Sequence, residues 1–162
     1  MGRAVVIGLG ANLGDARGTV LRAFDEIEGL PLVEALARSR LYRTTPVGGP
    51  PQDDYVNAAV AIRTTLPPRE LLARLQEIEL RHGRKRSGIA DEPRTLDLDI
   101  LWIEGERVDE PDLVVPHPRL WDRAFALVPL VEVAPHAREP GTGRLYADRL
   151  AEVTDGGVWL LE

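Results

Sequence analysis

Apolar positions alternate in some segments of the chain and recur every three or four residues in others. Alternating or short continuous apolar runs predict strands over residues 4–9, 33–42, 55–62, 95–103 and 158–161. Helical spacing predicts one helix between Asp15 and Gly29, a second between Pro67 and Gly83, and a third over residues 122–133. The first six elements therefore follow the order strand, helix, strand, strand, helix, strand. This order predicts one domain over residues 1–162, an α+β sandwich with a mainly antiparallel sheet rather than a doubly wound parallel sheet.

The composition is that of an ordinary globular protein. With 44% hydrophobic and 28% charged residues, the chain is not wholly disordered. The absence of cysteine excludes disulfides, thiolate metal sites and a cysteine nucleophile. No apolar run approaches the length of a membrane span and no signal peptide is evident, so we expect a cytoplasmic protein without a membrane span.

Charge is distributed unevenly along the chain. The net charge of −6 argues against a general nucleic-acid-binding protein. Residues 81–94 nevertheless carry a net charge of +3, which leaves −9 for the rest. Arginines at 84, 86 and 94 in a polar loop are suited to the oxygens of a polyphosphate, although a solvated charged loop is the alternative.

A pair of aspartates follows that loop directly. On a strand, Asp97 and Asp99 share one face while Leu96, Leu98 and Ile100 share the other. The strand rise places the two aspartate backbones roughly 7 Å apart, which lets both carboxylates approach hard cations. Two ordinary solvent-facing acids are the alternative, but the apolar flanks favour a Mg²⁺ site, because unpaired acids in such a strand are costly.

Other phosphate-binding and catalytic motifs fit less well. A P-loop is excluded because Lys85 is the sole lysine and does not precede serine or threonine. Gly8, Gly10 and Gly14 resemble a dinucleotide fingerprint, but Leu13 stands where that fingerprint requires glycine, so a tight turn is favoured. No serine has the histidine and acid partners of a hydrolytic triad.

Several single residues are weaker candidates for ligand contacts. His117 lies between two prolines in a rigid loop, whereas His82 sits at a predicted helix end and His136 is expected at the surface. Tyr55 and Asn57 share one strand face, where an aromatic ring and an amide could bind a flat heterocycle or simply pack in the sheet.

Taken together, the motifs resemble one enzyme family. They are Gly10-Ala11-Asn12-Leu13-Gly14, Tyr42-Arg43-Thr44, Tyr55-Val56-Asn57-Ala58-Ala59, Pro93-Arg94-Thr95-Leu96-Asp97-Leu98-Asp99-Ile100-Leu101, Val115-Pro116-His117-Pro118 and Arg123-Ala124-Phe125. In this order and spacing the chain resembles the 6-hydroxymethyl-7,8-dihydropterin pyrophosphokinases, from the first strand to about Pro135. The resemblance implies a ferredoxin-like α/β/α sandwich. It also implies transfer of pyrophosphate from ATP to the pterin hydroxymethyl group, with release of AMP, in folate biosynthesis. A monomer acting on small molecules, without nucleic acid, is expected.

The resemblance also implies roles for individual residues. Asp97 and Asp99 would bind two Mg²⁺ ions that bridge the ATP phosphates. The catalytic residues would be Arg84, Arg86, Arg94, Asp97 and Asp99. The ATP-binding residues would be Gln76, Glu79, Arg86, Arg94, Ile100, Val114, His117 and Arg123. The pterin-binding residues would be Thr44, Val47, Tyr55, Asn57 and Phe125, with Tyr55 and Phe125 on either side of the ring.

One departure from the family pattern weakens the expected closure of the basic loop over ATP. Ala90-Asp91-Glu92 stands where the family often has Arg-Trp-Gly, so an arginine and an aromatic residue are missing. Two other classes of protein remain as alternatives. One is a non-catalytic ligand-binding domain, which would not need the aspartates. The other is a dinucleotide-dependent oxidoreductase, which depends on the N-terminal glycines.

Overall fold

The computed structural model describes residues 2–45, 54–83, 95–153 and 157–161. Within these ranges the strands are β1 (Arg3–Ala11), β2 (Val33–Arg38), β3 (Tyr42–Thr44), β4 (Tyr55–Thr64), β5 (Asp97–Ile103), β6 (Val108–Glu110), β7 (Leu113–Val115) and β8 (Val158–Leu160). The helices are α1 (Ala16–Glu28), α2 (Pro68–Arg81), α3 (Ala124–Val133) and α4 (Tyr146–Glu152), with a short 3-10 helix over Leu120–Asp122. No helix in these ranges is long and apolar enough to cross a membrane.

The described strands form one main sheet and one small hairpin. Hydrogen bonding joins the main sheet in the order β5-β1-β4-β3-β8, and β2 pairs with the other end of β4. Every pairing is antiparallel, and β6 and β7 pair separately. The predicted antiparallel sheet is therefore confirmed.

Two hydrophobic cores lie on opposite faces of the main sheet. One core joins the sheet to α1 and α2 through residues such as Phe24 and Leu75. The other joins it to α3 and α4 through residues such as Leu127 and Tyr146. Helices on both faces of an antiparallel sheet make three layers, which confirms the ferredoxin-like α/β/α sandwich. That residues 1–162 form a single domain stays a prediction.

The helix boundaries follow local sequence signals. Asp15 precedes α1, and its side chain accepts a hydrogen bond from the Gly18 N–H at 3.0 Å. Gly29 ends the same helix, and its N–H donates to the Asp25 carbonyl oxygen. Proline begins α2, where its missing N–H costs nothing, and Gly83 follows with a φ of +83° that suits glycine. These boundaries agree with the predicted ones.

The prediction of one strand over residues 33–42 is wrong, because the chain breaks between β2 and β3. At the break, the Ser39 N–H donates to the Ala59 carbonyl oxygen at 2.8 Å. The Ser39 hydroxyl oxygen then accepts the Ala59 N–H, also at 2.8 Å, in the place of a backbone carbonyl. A serine side chain thus interrupts the ladder where alternation alone predicts continuity.

Two further predictions need correction, and two elements were not predicted. Gly8 and Gly10 do not form a turn but lie inside β1, which continues to Ala11. The β6–β7 hairpin was not predicted; it turns at Pro111-Asp112, a common turn sequence. The helix predicted from residue 122 begins at Ala124, after the 3-10 helix. Helix α4 was not predicted, because its seven residues are too few for a clear helical pattern.

Candidate active site

A strip of glycines and small or polar residues crosses the sheet face beneath α3, and the Leu101 side chain covers it at Gly8. Gly10 on β1 lies directly opposite Asp97 on β5 and Asn57 on β4. Gly8, two residues earlier, lies opposite Asp99 and Ala59. Residues directly opposite each other in a sheet project to the same face. The two carboxylates and the amide therefore share one face of the sheet, and we call the part of that face between them the trough. The backbones of Asp97 and Asn57 lie roughly 10 Å apart across it, two strand spacings.

The Asn57 side chain lies directly over Gly10. A Cβ added to Gly10 would lie 2.9 Å from the Asn57 Nδ2, closer than real side chains approach. Any larger residue would displace the amide or be displaced by it. The glycine thus leaves room for the Asn57 amide over the β1 backbone.

The aspartate pair has the alternation that the sequence predicts. Asp97 and Asp99 are half-buried, whereas Leu98 and Ile100 between and beyond them are buried. In the described part of the chain, no cluster of three or more histidine, aspartate or glutamate side chains could enclose a metal. Two carboxylates without further protein ligands suit Mg²⁺, which completes its octahedron with water and substrate phosphates. The donor set therefore fits the expected ion.

His117 lies close to this pair and is held by its loop. The backbone N–H of His117 donates to the Leu101 carbonyl oxygen at 3.0 Å, and its ring Nδ1 accepts the backbone N–H of Arg119 at 3.2 Å. Burial lowers the pKa of His117, and the charge of Arg123 lowers this pKa further, while Asp97 opposes both. The imidazole is therefore neutral near pH 7 and carries its proton on Nε2, as a hydrogen-bond donor.

On the other side of the strip, the Asn57 amide is oriented by a buried threonine. The Thr44 hydroxyl, in a residue only 3% exposed, donates to Asn57 Oδ1 at 2.6 Å. Asn57 Nδ2 lies 3.5 Å from the Leu9 carbonyl oxygen. Tyr55 is half-buried and shares the face of Asn57, two residues away on β4. These contacts leave amide and aromatic groups facing the trough.

Arg123 and Phe125 stand at the start of α3. The Arg123 guanidinium carbon lies 5.2 Å from the centroid of the Phe125 ring, which is a cation–π contact. Both side chains are partly exposed. Arg123 and Asp97 both lie near enough to His117 to affect its pKa in opposite directions.

The residues expected on the adenosine side differ in exposure. Gln76 is half-buried on α2, and Val114 is 40% exposed on β7. Ile100 is 4% exposed within the core, so any contact with a nucleotide would involve its backbone. Glu79 is buried, and its Oε2 accepts the Leu98 N–H at 2.8 Å. Four predicted site residues lie outside the described residues, as do residues 90–92: Val47, Arg84, Arg86 and Arg94.

Sequence reasoning missed two contributors to this site. Gly8 and Gly10 were assigned to a turn, although their spacing of two within an apolar run is also that of one strand face. Thr44 was expected to contact the pterin, and no sequence signal indicates that its hydroxyl contacts Asn57 on another strand.

Comparison with known proteins decides the family. Residues 6–135 match the family model described as 7,8-dihydro-6-hydroxymethylpterin-pyrophosphokinase (HPPK). The chain belongs to this family. Two of the proteins named 2-amino-4-hydroxy-6-hydroxymethyldihydropteridine pyrophosphokinase are similar to it along almost their whole length. That of Pseudomonas aeruginosa is 42% identical over 95% of this chain and 94% of its own. That of Methylorubrum extorquens is 43% identical over 96% of this chain and 97% of its own.

Solved structures support the fold independently of sequence. A crystal structure of an HPPK-DHPS protein in complex with substrates superposes with a TM-score of 0.74 at 13% identity, over 94% of this chain and 43% of that one. The Plasmodium falciparum HPPK-DHPS with pteroate gives a TM-score of 0.72 at 13% identity, over 93% of this chain and 42% of that one. The chain thus spans less than half the length of these solved chains, and the likeness concerns the fold.

Family membership confirms the reaction class predicted from the sequence. HPPK enzymes transfer a pyrophosphoryl group from ATP to 6-hydroxymethyldihydropterin in folate synthesis. The oxidoreductase alternative loses its basis, because Gly8 and Gly10 lie inside an antiparallel strand rather than at the turn of a βαβ unit.

Proposed function

We propose that this HPPK chain brings ATP and the pterin together across the strip between the aspartates and Asn57. The hydroxymethyl oxygen of the pterin attacks the β-phosphorus of ATP, the bond from that phosphorus to the α-phosphate oxygen breaks, and AMP leaves. The hydroxyl proton passes to solvent. The observation that carries the proposal is the register that places Asp97, Gly10 and Asn57 in one row.

We propose that Asp97 and Asp99 hold two Mg²⁺ ions together with the ATP phosphates. Support comes from the two half-buried carboxylates on one strand face. Bound Mg²⁺ would neutralise phosphate charge and fix the phosphates in line with the attacking oxygen. The protein's own part is to keep the two carboxylates on one face, at the spacing of alternate strand residues.

The protein's own hydrogen-bond donors would also neutralise the charge of the ATP phosphates. His117 can donate from Nε2, and Arg123 stands near it with a permanent positive charge. Arg84, Arg86 and Arg94 are proposed as further phosphate ligands on the basis of the sequence motifs. Phosphoryl transfer depends on positioning and charge neutralisation more than on a strong base, which suits this set of residues.

The pterin ring is proposed to lie on the Asn57 side of the strip. The Asn57 amide would bind the polar edge of the ring, together with the backbone from Thr44 to Val47. Tyr55 and Phe125 would stack on its two faces. Because Arg123 covers Phe125 in this structure, stacking of the pterin on that ring would require the guanidinium to move towards the phosphates.

We propose a cytoplasmic monomer that needs only ATP, Mg²⁺ and the pterin. The mass in solution, measured by light scattering on a size-exclusion column, tests the monomer.

Chromatography of the nucleotides tests the reaction. Incubation with ATP, Mg²⁺ and the reduced pterin should yield AMP in step with pterin consumption, and a chelator should stop it. Asp97→Asn should lower turnover at least about 100-fold, by loss of electrostatic stabilisation. Glu104→Gln, at an exposed carboxylate just beyond β5, should leave turnover unchanged. Formation of ADP alone, or full activity in Asp97→Asn, would contradict the proposal.

A further inference from the structure

A buried carboxylate on α2 faces the strand that carries the aspartate pair. Glu79 is 6% exposed, and among the residues that the structure describes it is the one buried side chain with a charge. It sits beside Ile78, which belongs to the core under the sheet. Burial of a carboxylate is costly unless hydrogen bonds compensate, so this position has a specific use.

The carboxylate binds the backbone between the two aspartates. Glu79 Oε2 accepts the Leu98 N–H at 2.8 Å. Leu98 lies on β5, at one end of the strand order of the described sheet, and its neighbours in the chain are Asp97 and Asp99. In an antiparallel ladder, successive residues turn their N–H groups alternately towards the partner strand and away from it. Strand β1 therefore hydrogen-bonds to β5 at Asp97 and Asp99, along one side of the strand. On the other side, Glu79 hydrogen-bonds to Leu98, the residue between them.

We propose that Glu79 is a positioning residue that sets the spacing and orientation of the Asp97 and Asp99 carboxylates. Without this acceptor the Leu98 N–H would be an unpaired donor at the sheet edge, and β5 could shift where the carboxylates must match phosphate and metal. Displacements of about 1 Å in such sites can cost a large part of the rate. The inference rests on the proposed function of the aspartates. It differs from the expectation that Glu79 contacts adenosine, because here the carboxylate acts on β5.

Two substitutions separate the hydrogen bond from the charge. Glu79→Gln keeps a side-chain oxygen that can accept the Leu98 N–H, whereas Glu79→Met has similar length and no such acceptor. Glu77→Gln and Glu77→Met are matched controls, since Glu77 lies two residues earlier on the same helix with a side chain 58% exposed. All four variants leave the aspartates in place.

Amide hydrogen exchange of the metal-free protein gives the first readout. Glu79→Met should speed exchange at Leu98 about tenfold or more, because the Leu98 N–H loses its acceptor and with it the free energy of about one hydrogen bond. Val60, on the central strand β4, should exchange as in the wild type. Glu79→Gln and both Glu77 variants should keep most of the Leu98 protection. An unchanged exchange rate at Leu98 in Glu79→Met would overturn the proposal. Equal loss of protection at Leu98 and Val60 would also overturn it, because Glu79 would then support general stability.

The Mg²⁺ requirement gives the second readout. Glu79→Met should raise the Mg²⁺ concentration for half-maximal turnover about tenfold, the effect of one lost hydrogen bond, while the KM for the pterin stays constant. Glu79→Gln should remain within about threefold of the wild type. If both variants instead weaken ATP binding equally in the absence of Mg²⁺, Glu79 contacts the nucleotide and the proposal fails.

Asp97→Asn distinguishes this failure from that of the proposed function. If Asp97→Asn is inactive and Glu79→Met behaves like the wild type in both readouts, only the positioning role is wrong. If Asp97→Asn is fully active, the metal role of the aspartates is wrong whatever Glu79 does.

Discussion

The chemistry of the trough depends on a few side chains, and in each of them a single atom decides which hydrogen bond forms. The Thr44 hydroxyl donates to Asn57 Oδ1, so the amide oxygen is engaged within the protein and an N–H remains on the trough side. Alternation along a strand predicts the shared face of Asp97 and Asp99 without knowledge of the fold. It cannot predict the contacts of Thr44 or Glu79, because their partners lie on other elements.

Removal of the Thr44 hydroxyl should affect the pterin alone. Thr44→Val keeps the shape of a buried residue and leaves Asn57 free to rotate, so the KM for the pterin should rise about tenfold while the KM for ATP stays unchanged. Steady-state kinetics with each substrate varied in turn measure both constants. Thr65→Val, at an exposed threonine, is the control. An equal rise in both constants would show that the hydroxyl supports the fold and not the amide.

Strand β8 supports the pterin side of the sheet, although it lies beyond the residues that match the family model. It pairs with β3, which ends at Thr44. The Leu161 N–H donates to the Leu41 carbonyl oxygen at 2.9 Å, and the Thr45 N–H donates to the Gly157 carbonyl oxygen at 3.2 Å. The apolar run near the C-terminus predicts this strand. Its partner was not predictable, because the break at Ser39 that creates β3 depends on β4.

A proline at one position of β8 should weaken pterin binding, and a proline at the next should not. The backbone hydrogen bonds that Gly157 and Leu161 make with β3 imply that the backbone N–H of Trp159 also points to β3. The backbone N–H of Leu160 points away from it. Trp159→Pro should therefore raise the KM for the pterin about threefold or more, and Leu160→Pro should not.

Trp159→Ala controls for the ring, which the Arg43 guanidinium covers at 5.2 Å from the ring centroid. This variant keeps the backbone N–H at position 159 and should bind the pterin normally. Equal effects of the two prolines would contradict a role for the ladder.

The order of elements predicts the layered architecture of the molecule, because two adjacent strands between helices favour an antiparallel sheet with helices outside it. It does not predict how each core is filled. The core beneath α3 and α4 encloses Tyr146, which is 1% exposed, and within the described ranges its hydroxyl has no hydrogen-bond partner. Burial raises the pKa of Tyr146 above its usual value, and Glu139 adds to this effect.

Tyr146→Phe should stabilise the protein. Loss of the unpartnered hydroxyl should raise the free energy of unfolding by up to about 1 kcal/mol at neutral pH. Because the folded state keeps the phenol protonated, the wild type loses stability as pH rises above about 10, where the unfolded chain releases that proton. Tyr146→Phe should lose less over that interval. Urea unfolding at neutral and alkaline pH measures both effects.

Tyr42→Phe is the matched control for this prediction. The Tyr42 hydroxyl donates to Glu132, so its loss should destabilise the protein at neutral pH. Destabilisation by Tyr146→Phe would contradict the account of an unpartnered hydroxyl.

Paramagnetic broadening tests most directly whether the metal lies at one side of the glycine strip. With Mn²⁺ replacing a small fraction of the Mg²⁺ and a non-hydrolysable ATP analogue bound, the amide signals of Asp97 and Gly10 should broaden most. That of Asn57, roughly 10 Å away across the sheet, should broaden less. Leu36, on β2 near the far end of β4, should remain sharp, and Asp97→Asn should abolish the gradient. Equal broadening at all four positions, or the same gradient in Asp97→Asn, would contradict a metal held by this carboxylate pair.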